Sequence, residues 1–277
     1  MTTARSILVT GASSGIGRDA ALTLKARGWR VFATARRDED ISALAELGLE
    51  GLYLDYTDEA SILACADVVL ARTGGKLDAL FNNGAYGQVG AVEDLSTAVL
   101  RRQFETNVFG WHTLTRRIVP VMRAQGHGRI VQCSSILGFV AGKYRGAYVG
   151  SKFALEGLTD ALRLELDGSP IHVALIEPGP IATRFTQTAL SNFQATVDVD
   201  ASVHRVEYRS QLARMQGTRR PSRFKLGPEA VTAALVHALE SPRPRLRYRV
   251  TVLTKAAALM KRLLPARLMD RLIARNS

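Results

Sequence analysis

Short runs rich in β-branched and apolar residues recur along the 277-residue chain at 6–10, 30–35, 51–55, 77–82, 128–133 and 171–177, separated by segments of helical period. That alternation is the strongest constraint on the fold: strands joined by crossover helices build a parallel sheet with helices packed on it. Helices are expected over about 15–28, 38–47, 58–73, 97–124 and 146–167, and Gly28, Gly48 and Gly168 fall where a helix ends in a left-handed residue. A chain of this length fits one large α/β domain with at most a modest appendage.

The first strand-to-helix junction reads Thr10-Gly11-Ala12-Ser13-Ser14-Gly15-Ile16-Gly17. Gly11 permits a tight turn, Gly15 lets the backbone approach a pyrophosphate, and Gly17 lets helix and strand pack closely. A dinucleotide is therefore expected here, with Ser13, Ser14 and Ile16 in its cradle. The second strand runs into Ala35-Arg36-Arg37, where an enzyme using NAD would carry an acidic residue for the ribose 2′-hydroxyl. Two guanidinium groups suit a dianionic 2′-phosphate, so the expected cofactor is NADP(H).

Further along, Tyr148 and Lys152 stand one helical turn apart on one face, and Ser135 lies thirteen residues before the tyrosine. A free phenol has a pKa of about 10, and a fixed cation beside it favours the phenolate. The three residues supply a proton donor, its activator and a hydroxyl that can orient a carbonyl.

On these motifs the chain resembles the short-chain dehydrogenase/reductase family over nearly its whole length. The family pattern TGxxxGxG is met by Thr10, Gly11, Gly15 and Gly17, and its active-site tetrad maps onto Asn107, Ser135, Tyr148 and Lys152. Ser135 is preferred to Ser134 because its separation from Tyr148 matches the family. The resemblance also implies that Asp55 contacts the adenine, that Asn83 and Gly84 border the adenosine side, and that Pro178, Gly179, Ile181 and Thr183 hold the nicotinamide carboxamide. Lys152 would bind the nicotinamide ribose, and Asn107 would anchor a water linking Lys152 to solvent. One departure is Asn82-Asn83-Gly84-Ala85 where the family has NNAG, with a small shift expected on the adenosine side.

The implied fold is a doubly wound parallel sheet of the Rossmann type. It forms a single domain over residues 1–254, with a substrate lid at about 185–225 and a basic amphipathic extension over 255–277. Stretches such as Ile176-Glu177-Pro178-Gly179-Pro180 and Arg245-Leu246-Arg247-Tyr248 resemble the hydroxysteroid, retinol and aldehyde reductase branch, and Lys261-Arg262-Leu263-Leu264-Pro265 looks like bacterial NADP-dependent aldehyde reductases. The implied activity is reversible, NADPH-dependent reduction of an aldehyde or ketone to the alcohol, with Tyr148 as the acid/base. The alternative, an NADP(H)-binding sensor or scaffold without turnover, would be signalled by loss of the tetrad, which is intact. The resemblance also implies a homodimer or homotetramer paired through the helices at 97–124 and 146–167.

The remaining features bear on the substrate and on partners. Residues 185–225 are polar and basic with little periodicity, and their Phe185, Phe193, Tyr208, Met215 and Phe224 suit an apolar carbonyl compound such as an aliphatic aldehyde, retinal or a ketosteroid. A helix opens at Gly227-Pro228-Glu229, an apolar strand follows near 248–253, and Ala256 to Arg275 reads as two short amphipathic helices broken by Pro265. Residues 201–277 carry 17 Lys/Arg against 4 Asp/Glu, whereas residues 1–200 carry 20 against 21, so the net charge of +12 belongs to the last quarter. That tail has no interleaved aromatics, which argues against nucleic acid, while its apolar Leu259, Leu263 and Leu268 suit either a peripheral membrane contact or packing on the protein itself. Cys65 and Cys133 form no CxxC or Cys/His cluster and the five histidines show no ligand spacing, so no metal is expected. With no signal-peptide core or membrane span, a soluble, cytoplasmic and unprocessed chain is expected, associated with membrane only if the tail makes that contact.

Overall fold

The computed structural model describes residues 4–216 and 225–276. Its strands are β1 (Ser6–Val9), β2 (Arg30–Ala35), β3 (Glu50–Tyr53), β4 (Ala79–Asn82), β5 (Gly128–Cys133), β6 (Ile171–Glu177) and β7 (Arg247–Arg249). They pair in parallel in the order β3-β2-β1-β4-β5-β6-β7. Ile7, Leu8 and Val9 are all buried, as are Ala79, Leu80 and Phe81, because a parallel sheet covered on both faces leaves no solvent side for polar alternation. The strand order reverses between β1 and β4, which opens a crevice at their carboxyl ends.

The helices are α1 (Gly15–Ala26), α2 (Asp38–Glu46), α3 (Glu59–Arg72), α4 (Thr97–Phe104), α5 (Gly110–Gln125), α6 (Gly146–Glu165), α7 (Phe185–Thr196), α8 (Arg205–Met215), α9 (Glu229–Glu240), α10 (Val252–Leu263) and α11 (Ala266–Asn276). α1 packs on α9, and α3 packs on α5. Gly28, Gly48 and Gly168 take left-handed φ values of 84°, 70° and 74° at helix ends, as the sequence requires.

The structure departs from the sequence expectation in three places. The helix expected over 97–124 is interrupted by a π turn at Glu105–Phe109, whose widened turn carries Asn107, fully buried, toward the end of β4. The strand expected near 248–253 stops at Arg249, because the Thr251 hydroxyl accepts the Thr254 amide at 3.2 Å and starts α10. The aperiodic stretch 185–225 contains two helices, α7 and α8. They close over a small core of their own, in which Phe193 and Tyr208 are buried edge to face with ring centroids 5.1 Å apart. Phe224 lies outside the described residues.

α10 runs through position 254 with Thr254 and Ala257 buried, and its opposite side exposes Val252, Leu259 and Leu263. Lys261 donates to the Phe139 carbonyl and stands over the Phe153 ring, so this helix is fastened to the body of the domain. Among the described residues no helix is long and apolar enough to cross a membrane.

Candidate active site

A cleft of about 930 Å³ opens at the carboxyl end of the sheet, at the point where the strand order reverses. One end is the glycine-rich turn. Gly11 has φ +63°, and a Cβ there would come within 2.5 Å of the Gly84 Cα; a Cβ on Gly17 would run into the Gly11 carbonyl. The Ser14 side chain makes no capping bond, which leaves the first amides of α1 to a phosphate. Ser13, Ser14, Gly15 and Ile16 line the cleft, and Arg184 and Lys225, which sequence reasoning missed, stand beside Ser14 and Gly15. The glycine cradle and the open helix end fit a pyrophosphate.

The NNGA departure has a local cause. The Tyr56 hydroxyl is buried between Thr10 Oγ1 at 2.8 Å and Asn82 Oδ1 at 2.7 Å, and a Cβ on residue 84 would stand 3.2 Å from the Tyr56 ring. Glycine at 84 leaves room for that ring. Asn83 ties the same segment to the glycine turn through the Thr10 and Gly11 carbonyls at 3.0 and 3.3 Å.

The two arginines after β2 separate. Arg36 lines the cleft, while the Arg37 guanidinium turns to Asp40, with nitrogen-to-oxygen distances of 2.8 and 3.1 Å, and is absent from the lining. Asp55 lines the same cleft and accepts from the Thr57 amide and hydroxyl, both at 2.9 Å. Tyr86 and Arg102 also line the wall. Neither belongs to a motif, so no spacing signal marked them.

At the other end Ser135, Tyr148 and Lys152 come together with Pro178, Gly179, Ile181 and Thr183. Ser135 sits just past β5, where its Oγ accepts the Leu137 amide at 3.1 Å, and Tyr148 lies in the first turn of α6. Burial pushes the Tyr148 phenol above its ordinary range, and the neighbouring Ser135 hydroxyl pulls it back in part. Lys152 is almost fully buried and is pushed down to about 8 by that burial. Its ammonium donates to the Cys133 carbonyl at 2.8 Å and stands 4.3 Å from the Trp111 ring centroid and 5.8 Å from that of Tyr148. Burial, rather than the expected lowering by the lysine, thus dominates the phenol and favours its protonated form.

Trp111 was not marked by the sequence reading, although it stands four residues after Asn107. Its indole donates to the Gly84 carbonyl at 2.8 Å, so one side chain joins the nucleotide wall to the lysine. Asn107 does not line the cleft. Its amide donates to the Tyr86 carbonyl at 2.9 Å and to Ser151 Oγ at 3.2 Å, while its oxygen accepts the Tyr86 amide at 3.2 Å. It braces α6 against the loop after β4.

Beneath these residues lies a charged cluster. Arg247 of β7 pairs with Glu156 and Asp160 of α6 and with the fully buried Glu177, at 2.6 Å from each of Asp160 and Glu177. Glu156 is one turn beyond Lys152, and Glu177 immediately precedes Pro178-Gly179, so the pair network reaches both α6 and the segment opposite it.

The family model for short chain dehydrogenases matches residues 5–193. The chain is 42% identical over 269 residues to the uncharacterized oxidoreductase YbbO of Escherichia coli K12, covering 97% of this chain and 94% of that protein. It is 31% identical over 258 residues to retinol dehydrogenase 8 of Homo sapiens, covering 90% and 82% respectively. A crystal structure of a short-chain dehydrogenase from Streptomyces avermitilis superposes with a TM-score of 0.78 at 34% identity, over 94% of this chain and 92% of that one. The chain belongs to the short-chain dehydrogenase/reductase family, on the side that includes the retinol and hydroxysteroid dehydrogenases.

Proposed function

We propose that this oxidoreductase uses NADPH to reduce an aldehyde or ketone, with Tyr148 as the proton donor. The observation that carries the reading is one cleft with a glycine cradle and Arg36 at one end and a buried, protonated Tyr148 beside Ser135 and Lys152 at the other. The glycine cradle and Arg36 would hold NADPH, which would supply the hydride for the carbonyl carbon. Ser135 hydrogen-bonds the carbonyl oxygen and fixes it beside the phenol, which gives up its proton as charge builds there. The Lys152 ammonium stabilises the phenolate that remains and would also hold the cofactor's nicotinamide ribose. Phe185 lies edge-on to Tyr148 with ring centroids 5.4 Å apart and shields the transfer from water.

An arginine without a carboxylate beside it suits the 2′-phosphate, and Arg36 is the residue placed to meet it; Arg37 is committed to Asp40. Apolar walls from Ile136, Leu137 and Phe185 favour a substrate with an apolar body. A screen of NADPH oxidation over aliphatic and aromatic aldehydes, retinal and ketosteroids, with NADH as control, tests the reading. Tyr148→Phe should lower turnover about 10²–10⁴-fold while NADPH binds as before; retained turnover would remove Tyr148 as the acid.

Two surfaces support contacts beyond the cleft. Leu100, Phe109, Phe153 and Leu158 are exposed on α4, the π turn and α6, which supports pairing of two copies through that face. On the outer side of α10 and on α11, exposed Leu259, Leu263 and Leu268 lie among Lys255, Arg262 and Arg267, which supports a peripheral contact with an anionic bilayer. Light scattering reads the first; co-sedimentation with anionic vesicles, lost in Leu259→Asn/Leu263→Asn, reads the second.

A further inference from the structure

Arg145 is the last residue before α6 and stands three positions ahead of Tyr148, on the wall of the same cleft. Its Nη1 is buried without a hydrogen-bond partner, and no ion pair among the described residues includes it. A half-buried cation without a counter-ion is unfavourable, and burial holds this guanidinium below its ordinary pKa. The helix makes matters worse, since a positive charge at a helix N-terminus opposes the dipole and the first turn of α6 contains no acidic residue. A bound anion relieves both penalties.

The surroundings show that the charge is held in place. Tyr144, the preceding residue, is the one non-glycine among the described residues with a left-handed φ, at +59°. Its ring meets His204 and Tyr208 of the lid edge-on, at 5.4 and 5.5 Å between centroids, and its carbonyl accepts the Gly90 amide at 3.0 Å. A conformation that a tyrosine rarely adopts is thus fixed by three partners, and it sets the direction in which Arg145 leaves the chain. Lys143 lines the same wall, and among the described residues the sole carboxylate lining the cleft is Asp55, at the adenosine end. The phosphates of a dinucleotide belong at the turn over 11–17 and at Arg36, so they leave Arg145 unmatched.

We propose that Arg145 binds a carboxylate at the far end of the substrate, so that the natural substrate is an oxo acid: an apolar chain with an aldehyde or ketone for Tyr148 and a carboxylate for Arg145. This rests on the carbonyl reductase reading and deepens it. A guanidinium holds a planar carboxylate by two parallel hydrogen bonds, which a neutral aldehyde cannot supply.

The test compares ω-oxo acids of four to ten carbons with n-alkanals of equal length, using the full chain and NADPH. At the best length kcat/KM for the oxo acid should exceed that of the alkanal about 10–100-fold. Arg145→Gln should bring this ratio close to one, and Arg145→Lys should keep a substantial part of it, which separates loss of charge from loss of fold. A ratio near one at every length in the wild type, or an unchanged ratio in Arg145→Gln, overturns the proposal. Calorimetry with hexanoate, hexan-1-ol and hexyl phosphate, with and without NADP⁺, reads the anion site without turnover. Hexanoate should bind at least tenfold more tightly than the alcohol, and only while Arg145 is present; tighter binding of the phosphate overturns the carboxylate assignment. Arg145-dependent hexanoate binding with no NADPH oxidation by any carbonyl would sink the reductase reading and leave the anion site standing. Reduction of alkanals with no gain from the carboxylate would do the reverse.

Discussion

The nucleotide wall of the cleft, built from residues 11–17, 34–36 and 83–84, is mostly backbone brought close to backbone, and single hydrogens at Gly11 and Gly17 decide whether it closes. The opposite wall, from the loop 136–145 and helices α7 and α8, is side chain packed on side chain, with Phe193, Tyr208 and Tyr144 as its centre. Backbone walls accept few residue types and recognise a ligand every enzyme of this kind shares. Side-chain walls can be rebuilt one residue at a time without disturbing the sheet, and that is where we propose that substrate choice resides.

Arg247 fastens α6 to β6 behind the cleft, and removing it tests how far both walls depend on that shared scaffold. Arg247→Met leaves Glu156 without its guanidinium partner and Glu177 with Arg249 alone at 3.2 Å. Loss of one partner from a buried ion cluster costs about 3–5 kcal/mol. Urea unfolding should show a drop of that size; a change under about 1 kcal/mol would mean the cluster behaves as a surface pair.

A smaller effect, confined to the nucleotide wall, is expected at the arginine pair. Arg36→Ser should lower the ratio of kcat/KM with NADPH to that with NADH about 10–100-fold, as for loss of a charge-assisted bond. Arg37→Ser should change it little, because that guanidinium is held by Asp40. Equal effects from the two would show that Arg37 leaves Asp40 when the cofactor binds.

The same division governs what was legible in the sequence. The parallel sheet with its crossover helices and the glycine turn were readable, because period, β-branching and a left-handed φ each restrict residue type locally. The helices α7 and α8 were not readable. The apolar residues they cover, Val89, Ala91, Ala189, Phe193, Val197 and Tyr208, come from three separate segments, and none of those segments shows the full stripe. The Arg247 to Glu156 pair spans 91 positions and leaves no local trace. Trp111, Tyr86 and Arg102 were missed because their roles arise from the π turn and the end of β4 meeting in space, whereas Tyr148 and Lys152 announce themselves by spacing within one helix.

Within the lid wall, Tyr208→Phe is a mild probe. Its hydroxyl accepts the buried Ala91 amide at 2.7 Å and donates to Asp94, so its loss strands an amide and should cost about 1–2 kcal/mol. KM for the carbonyl substrate should rise while KM for NADPH stays as it was. A parallel rise in both would mean that the lid core also supports the nucleotide wall.

The smallest expected effect lies at the meeting point of the walls. Lys152 is pushed by burial from 10.5 down to about 8, so it is charged below that pH and neutral above it. Tyr148 is pushed upward and stays protonated through the same window, so the proton donor is not what changes. The rate of reduction should therefore be level below pH 7, fall to about half near pH 8 and decline further above. Stability should move the other way: between about 8 and 10.5 the unfolded chain holds a proton on this lysine that the folded chain has lost, so this residue's contribution to folding rises with pH. Subtracting the unfolding free energy of Lys152→Met from that of the wild type across pH 7–10.5 isolates the term. If the difference stays flat while activity still falls near pH 8, another group sets the profile and Lys152 remains charged, its ammonium held by the Cys133 carbonyl and the Trp111 ring more strongly than burial opposes it.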